Sequence, residues 1–178
     1  SEVEKVLEEL RRIVTKSARH LDESNERLKE IIRRLDEKNK EALKRAEDII
    51  RDIDDKLKKL KGDKRVLDEL ARRIEEVLRR LRRIVEESRK ELDEALKEHD
   101  RALRENEREN REALRDAEEK GVDKKVKDEV KKLIDDSREK IKRSRESVKR
   151  LVEEHRRRSE EVRKTLEKLA REITERIR

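Results

Sequence analysis

The sequence predicts an all-α protein: an up-down-up antiparallel bundle of three long, nearly straight helices. Apolar residues recur at helical spacing along the whole chain, there is no proline, and the two glycines, Gly62 and Gly121, divide the 178 residues into near-equal thirds. Glycine commonly follows the last turn of a helix in a left-handed conformation, so each glycine marks a helix end. We expect helices at about 2–61, 64–120 and 123–177, with loops at the two glycines, forming one rod-like domain over 1–178.

Residues suited to capping support the three helix starts. Ser1 and Glu4 have the spacing of a capping box at the start of the first helix. Asp63 and Asp123 follow the two glycines, where an aspartate can cap the next helix. Loops this short require consecutive helices to run antiparallel, which gives the up-down-up order.

Each predicted helix carries one apolar stripe. About three positions per heptad are apolar, which suits a bundle interior better than the narrower seam of a two-stranded coiled coil. The repeat is near 3.6 residues, so we expect weak supercoiling. The stripes include Val3, Leu7, Leu10, Val14, Leu21, Leu28, Ile31, Leu35, Ala42, Ala46, Ile49 and Ile53 on the first helix, Leu67, Ile74, Leu78, Leu81, Val85 and Leu92 on the second, and Val126, Val130, Leu133, Ile141, Val148, Leu151, Leu166 and Ile173 on the third.

The composition narrows the possible classes of protein. Charged residues make up 59% of the chain, which by itself would suggest disorder, but the regular apolar spacing indicates long helices instead. No apolar run approaches the roughly 18 residues of a membrane span, so we expect no membrane insertion. The absence of cysteine excludes disulfides, and three histidines without cysteine argue against a structural zinc site.

The net charge of +7 is concentrated in the last third of the chain. Residues 1–61 carry +2, residues 62–121 carry −2, and residues 122–178 carry +7. A basic helix could face nucleic acid, an anionic membrane or an acidic partner. The chain has no aromatic residue for base stacking and no nucleic-acid-binding motif, so we expect a mixed-charge solvated surface and neither nucleic acid nor membrane as a partner.

Several positions in the stripes are polar, and they form the candidate site. A buried polar group costs about 1–3 kcal/mol unless it is hydrogen-bonded, so these residues should meet one another. The predicted buried polar network comprises Ser17, Ser24, Asn25, Asn39, Ser88, His99, Asn106, Asn110, Ser137, Ser144, His155 and Ser159. Ser147 is also placed in the seam, and His20 on its flank.

Folding the chain at its glycines predicts which polar residues share a level. A residue n of the first helix should lie level with about 124 − n on the second and n + 119 on the third. This rule places Ser17 with Asn106 and Ser137. It also places Ser24 and Asn25 with His99 and Ser144, and Asn39 near Ser88, His155 and Ser159. Asn110, Ser147 and Thr165 fit the three layers less well.

Two interpretations of these layers are possible: a catalytic, metal or proton-relay site, or hydrogen-bond networks that fix helix register. A di-metal bundle requires Glu-x-x-His pairs, whereas Ser17, Leu96 and Val152 stand three residues before the three histidines. The carboxylates are expected on the outer faces. We therefore predict structural networks, with no catalytic or metal residues, no cofactor and no small-molecule substrate. His99 and His155 are either neutral members of the networks or lie at the edge of the seam, where their imidazoles reach solvent.

The amino-acid composition of the chain is unusual, since Phe, Tyr, Trp, Met, Cys and Pro are all absent. With segments such as 17–25 and 153–159, the chain resembles computationally designed helical bundles with buried hydrogen-bond networks, a class that includes designed heterodimers and latch-and-cage switches. The resemblance implies a de novo protein that is very stable, soluble and made by recombinant expression in the cytoplasm. It also implies that the chain is not an enzyme and has no natural activity.

Two roles follow from this interpretation, and the sequence leaves both open. The chain is either a complete three-helix scaffold that requires no partner, or an interaction module. In the second case it supplies three helices of a four-helix bundle, and an acidic partner helix docks between the first and third helices, or a second copy of the chain packs against it. A third alternative is a natural protein, either a helical adaptor of the spectrin or apolipoprotein kind or an enzyme, which the missing aromatic residues and methionine disfavour.

Overall fold

Three α-helices make up the fold: α1 (Glu2–Lys59), α2 (Lys64–Glu119) and α3 (Lys124–Ile177). The structure, a computed structural model, describes residues 2–60, 62–121 and 123–177, and for Val3 the backbone alone. No strand occurs in these ranges, which confirms the predicted all-α three-helix bundle. Over its described residues, none of the helices has a stretch long and apolar enough to cross a membrane.

The two glycines adopt the conformation that a helix end requires. Gly62 has a φ of 90° and Gly121 a φ of 58°, both in the left-handed region that glycine enters without strain. The next helix begins directly afterwards, where the carbonyl oxygens of Asp63 and Asp123 accept the first helical hydrogen bonds, 3.1 and 2.9 Å long. Ser1 of the predicted capping box, Lys61 and the Val3 side chain lie outside the described residues.

The helices divide between two compact units, each containing one stretch of every helix. Unit 1 comprises the described residues of 2–30 and 94–151, and unit 2 those of 31–93 and 152–177. The apolar core of unit 1 contains Leu10, Val14, Ala113, Ala117, Val126, Val130 and Ile134, with a smaller cluster of Leu21, Leu103 and Ile141. The core of unit 2 contains Ala42, Ala46, Ile53, Ile74, Leu78, Leu81, Val85, Leu166, Ala170 and Ile173.

The core-facing line of α3 differs in two places from the predicted stripe. Ile134 is buried at 1% exposure, whereas Leu133, the predicted member, is only half-buried. Val152 is buried and Leu151 half-buried in the same way. In both places an adjacent pair of apolar residues left the choice open. Ile134 faces inward because it lies four positions after the buried Val130 and the helix repeat exceeds 3.5 residues.

Candidate functional site

Ten of the twelve predicted polar residues are buried, namely Ser17, Ser24, Asn39, Ser88, His99, Asn106, Asn110, Ser137, Ser144 and His155. Asn25 and Ser159 are half-buried. Ser147 is exposed, so its placement in the seam was wrong, and His20 is exposed on the flank. The buried set belongs to stretches of α1, α2 and α3 whose apolar residues form the cores, so the spacing that packs the helices also turns these polar groups inward.

In unit 1, four residues from three helices form one hydrogen-bonded chain, which we call the Asn106 cluster (Ser17, Asn106, Asn110 and Ser137). The side-chain amide of Asn106 donates to the backbone oxygen of Ser17 on α1, at 2.9 Å. The Ser137 hydroxyl on α3 donates to Asn106 Oδ1 at 3.3 Å, and the Asn110 amide donates to Ser137 Oγ at 2.9 Å. The cluster thus links all three helices at one level.

Asn110 fits this cluster better than its position in the sequence suggested. Asn110 lies one turn after Asn106 on α2, so both amides point at the same stretch of α3, where Ser137 accepts from one and donates to the other. Asn110 Oδ1 is buried and has no partner among the described residues.

A second contact in unit 1 joins Ser24 of α1 and His99 of α2, whose Oγ and Nδ1 atoms are 2.8 Å apart. Burial lowers the pKa of His99 below its usual value of 6.5, and the neighbouring Asp100 carboxylate opposes that shift. The other ring nitrogen, Nε2, is buried and has no partner within the described ranges. The imidazole is therefore held on one side only.

A third contact in unit 1 joins α1 directly to α3. The Ser144 hydroxyl donates to Asn25 Oδ1 at 2.7 Å, across a sequence separation of 119 residues. The separation equals the offset expected between levels of the first and third helices. Ser24 and Asn25 are adjacent, so neighbouring side chains of α1 contact α2 and α3 respectively.

Unit 2 contains a cluster that sequence reasoning missed in part, the Asp36 cluster (Asp36, His155 and Arg158). Asp36 Oδ1 lies 2.7 Å from His155 Nδ1, and Asp36 Oδ2 accepts from Arg158 Nη2 at 2.8 Å. The Asp36 side chain is only 18% exposed, so the expectation that all carboxylates face outward was wrong for this residue. Asp36 and His155 are 119 residues apart, so the rule that places Asn25 with Ser144 would have identified the pair.

The third predicted layer forms only in part. The Asn39 amide lies 3.5 Å from Ser159 Oγ, at the limit of a hydrogen bond, and Asn39 Oδ1 has no partner in the described part of the chain. The Ser88 hydroxyl instead donates to the carbonyl oxygen of Ile84, one turn earlier on its own helix, at 2.9 Å. A serine in a helix can satisfy itself in this way, so its position in a seam does not by itself predict a contact with another helix.

Some of these contacts resemble parts of catalytic sites. The Ser24–His99 distance is that of a nucleophile and its general base, and Asp36 holds His155 as a carboxylate orients an imidazole. However, Ser24 and both histidines are at most 6% exposed, so a substrate would not reach them. No group of three or more metal-ligating side chains occurs among the residues described. These contacts can hold the helices in register, and protonation of a buried imidazole would change their strength.

Comparison with known proteins adds a structural likeness. No protein-family model and no curated protein sequence matches the chain. A solved structure described as "Computationally designed three helix bundle" aligns with 99% of this chain and 89% of its own, at 22% identity and a TM-score of 0.42. The function of the chain is therefore inferred from its own residues.

Proposed function

We propose that the chain is a designed structural scaffold whose buried polar residues specify the register and pairing of its three helices. Its composition supports the design origin. A natural domain of 178 residues normally contains several aromatic, methionine and proline residues, because they fill irregular cores and shape loops, and none is present here. The apolar residues are Leu, Ile, Val and Ala, and most of the others are Lys, Arg, Glu and Asp. These are the residues chosen for idealised helices.

The Asn106 cluster is the observation that carries the proposed role. Its three hydrogen bonds use groups from α1, α2 and α3, and Ser137 and Asn106 are nearly inaccessible to water. Sliding one helix by a turn would move its polar group about 5.4 Å along the axis and leave buried partners unpaired. Purely apolar contacts tolerate such a slip more easily, because leucine and isoleucine pack against many neighbours.

Contacts between α1 and α3 support the same register in each unit. The Asn25–Ser144 bond in unit 1 spans 119 residues, and the Asp36–His155 and Asn39–Ser159 contacts in unit 2 span 119 and 120. Ion pairs agree, since Asp22 and Lys140 are 118 residues apart and 2.8 Å from each other. Independent polar contacts therefore favour one alignment of these two helices.

The alternative role, docking of a partner helix between α1 and α3, has less support. In unit 1 this face carries the Asn25–Ser144 hydrogen bond and an Arg11–Glu129 ion pair of 3.2 Å. In unit 2 it carries the Asp36 cluster and an Arg176–Asp54 ion pair of 2.9 Å. A docking helix would have to separate groups that already satisfy each other, which favours the self-contained scaffold.

A combined apolar variant tests the proposed role. Replacing Asn106, Asn110 and Ser137 together with Leu, Leu and Ala removes every side-chain donor and acceptor that the cluster uses. We expect circular dichroism to show that the variant stays helical. Its helices should no longer adopt one defined register, which would give multiple amide signals per residue in NMR or a mass above one chain in light scattering. A variant with one set of signals, the parent's inter-helix contacts and the mass of one chain would disprove the role in register.

A further inference from the structure

A cleft with a strong excess of positive charge lies between α2 and α3 in unit 1. It has a volume of about 320 Å³ and is lined by Glu107, Arg111, Arg138, Ile141, Lys142 and Arg145. We refer to it as the basic cleft. Its residues are separate from the Asn106 cluster, so the scaffold role leaves its charges unexplained.

The charges of the basic cleft are only partly neutralised. Arg145 pairs with Glu107 across the two helices at 2.5 Å. Arg111, Arg138 and Lys142 have no carboxylate partner among the described residues. The cleft therefore retains three positive charges without an ion-pair partner around one space.

The spacing of these residues explains why they converge. Arg138, Lys142 and Arg145 lie at positions i, i+4 and i+7 of α3 and so share one face of the helix. Arg111 reaches the same space from α2. Ile141, buried at 3% exposure, forms an apolar wall of the cleft, and a wall of low polarity strengthens the field of the surrounding charges.

The chemistry of the cleft suits a compact anion with several negative oxygens. Guanidinium groups present paired N–H donors that match the oxygens of a phosphate, and lysine adds a point charge. Mutual repulsion of the three free cations would be relieved by such a ligand. We propose that the basic cleft binds a compact multivalent phosphate anion, with pyrophosphate as the simplest example. This proposal is independent of the scaffold role.

Isothermal titration calorimetry of the full chain with sodium pyrophosphate, at constant ionic strength and without divalent cations, tests the proposal. We expect one site per chain. The double variant R138Q/K142Q, which removes two of the unpaired cations, should bind about tenfold more weakly, because each lost charge-assisted hydrogen bond to an exposed anion has a modest effect. Circular dichroism should show unchanged helicity, since both side chains are exposed.

The matched control is K131Q/K132Q, which removes the same charge from the same helix and unit at exposed positions outside the cleft. Affinity within about twofold of the parent in this control would place the ligand in the cleft, because diffuse attraction to the basic surface would be weakened to a similar extent by either pair of substitutions. Equal losses in the two double variants would show diffuse attraction and overturn the proposal. Absence of pyrophosphate binding by the parent chain, or unchanged binding by R138Q/K142Q, would also overturn it.

Discussion

In unit 2, Asp36 Oδ1 lies 2.7 Å from Nδ1 of His155, a residue that is only 1% exposed. The second carboxylate oxygen accepts from Arg158 at 2.8 Å, one turn of α3 away on the solvent side. One aspartate of α1 therefore satisfies a buried imidazole and an exposed guanidinium of α3. Such a carboxylate fixes which ring nitrogen carries the proton, because an ionised carboxylate can only accept.

Replacing Asp36 with alanine should destabilise the protein by about 2–3 kcal/mol, because the substitution leaves a buried imidazole N–H without an acceptor and removes a charge-assisted bond. Guanidinium unfolding followed by circular dichroism measures the change; the chain has no aromatic residue for fluorescence. The control is D48A, an exposed aspartate of the same helix, with an expected change below about 0.5 kcal/mol. Equal changes in the two variants would contradict the structural role of Asp36.

The Asn106 cluster makes a similar prediction for a pair of serines on α3. Ser137 is buried, donates to Asn106 and accepts from Asn110, so S137A should cost about 1–3 kcal/mol by leaving buried amide groups unpaired. Ser147 is exposed on the same helix, so S147A should have no effect or a slight stabilising effect, because alanine has the higher helix propensity. Denaturant midpoints of the two variants provide the comparison, and a larger loss for S147A would refute the cluster.

The sequence was sufficient to predict the three helices and several of the polar contacts between them. Stripes with a repeat near 3.6 and two glycines predict three helices, and the level rule places Ser24 with His99 and Asn25 with Ser144, as observed. The rule works here because long helices with short loops leave only one simple way to align them. Asp36 and His155 also satisfy this rule, but one carboxylate at the edge of a stripe does not stand out among the 49 acidic residues of the chain.

Other details depend on choices that the sequence does not resolve. Ser88 has two possible acceptors, its own helix or a neighbouring one, and only the packing distance decides in favour of Ile84. Similarly, where two apolar residues are adjacent, periodicity alone does not say which one faces the core, as at Leu133 and Ile134. A difference of one residue amounts to about 100° around the helix, which separates a core position from its flank.

This adjacent pair offers a direct test of the core line of α3. I134A should cost about 2–4 kcal/mol, because Ile134 is 1% exposed in the core of unit 1 and its truncation leaves a cavity. L133A should cost clearly less, since Leu133 is half-buried and packs against the edge of that core. Both values come from guanidinium unfolding. A larger loss of stability in L133A than in I134A would support the apolar stripe that the sequence predicted, with Leu133 in the core.

The Ser24–His99 pair should show that a buried polar contact is not necessarily a net source of stability. S24A should cost about 1–2 kcal/mol, because it leaves the second ring nitrogen of His99 unpaired as well as Nε2. The double variant S24A/H99L removes every unpaired group at once and should be at least as stable as the parent protein, since an apolar pair avoids desolvating the imidazole. If the loss of stability in S24A/H99L equals the sum of the losses in S24A and H99L, this expectation is contradicted.

The same histidine should make stability depend on pH. Burial holds the pKa of His99 in the folded protein below the unfolded value of about 6.5, so the unfolded chain binds the proton more readily. The contribution of His99 is therefore fully present above about pH 6.5 and is lost as the pH falls through the lower folded pKa. We expect the free energy of unfolding to decrease between about pH 7.5 and pH 5, and the Asp100 carboxylate to reduce the size of the decrease.

Comparison of variants isolates this effect from other titrating groups. H99Q cannot gain a proton at this position, so its stability should vary less with pH than that of the parent, while every other titrating group is common to both proteins. H20Q replaces an exposed histidine whose side chain is 64% accessible, and it should keep the full pH dependence of the parent. Unfolding midpoints of the three proteins at matched pH values measure the difference. Parallel pH profiles for the parent and H99Q would mean that His99 does not act as a proton-sensitive group, because its protonation would then cost the folded state nothing.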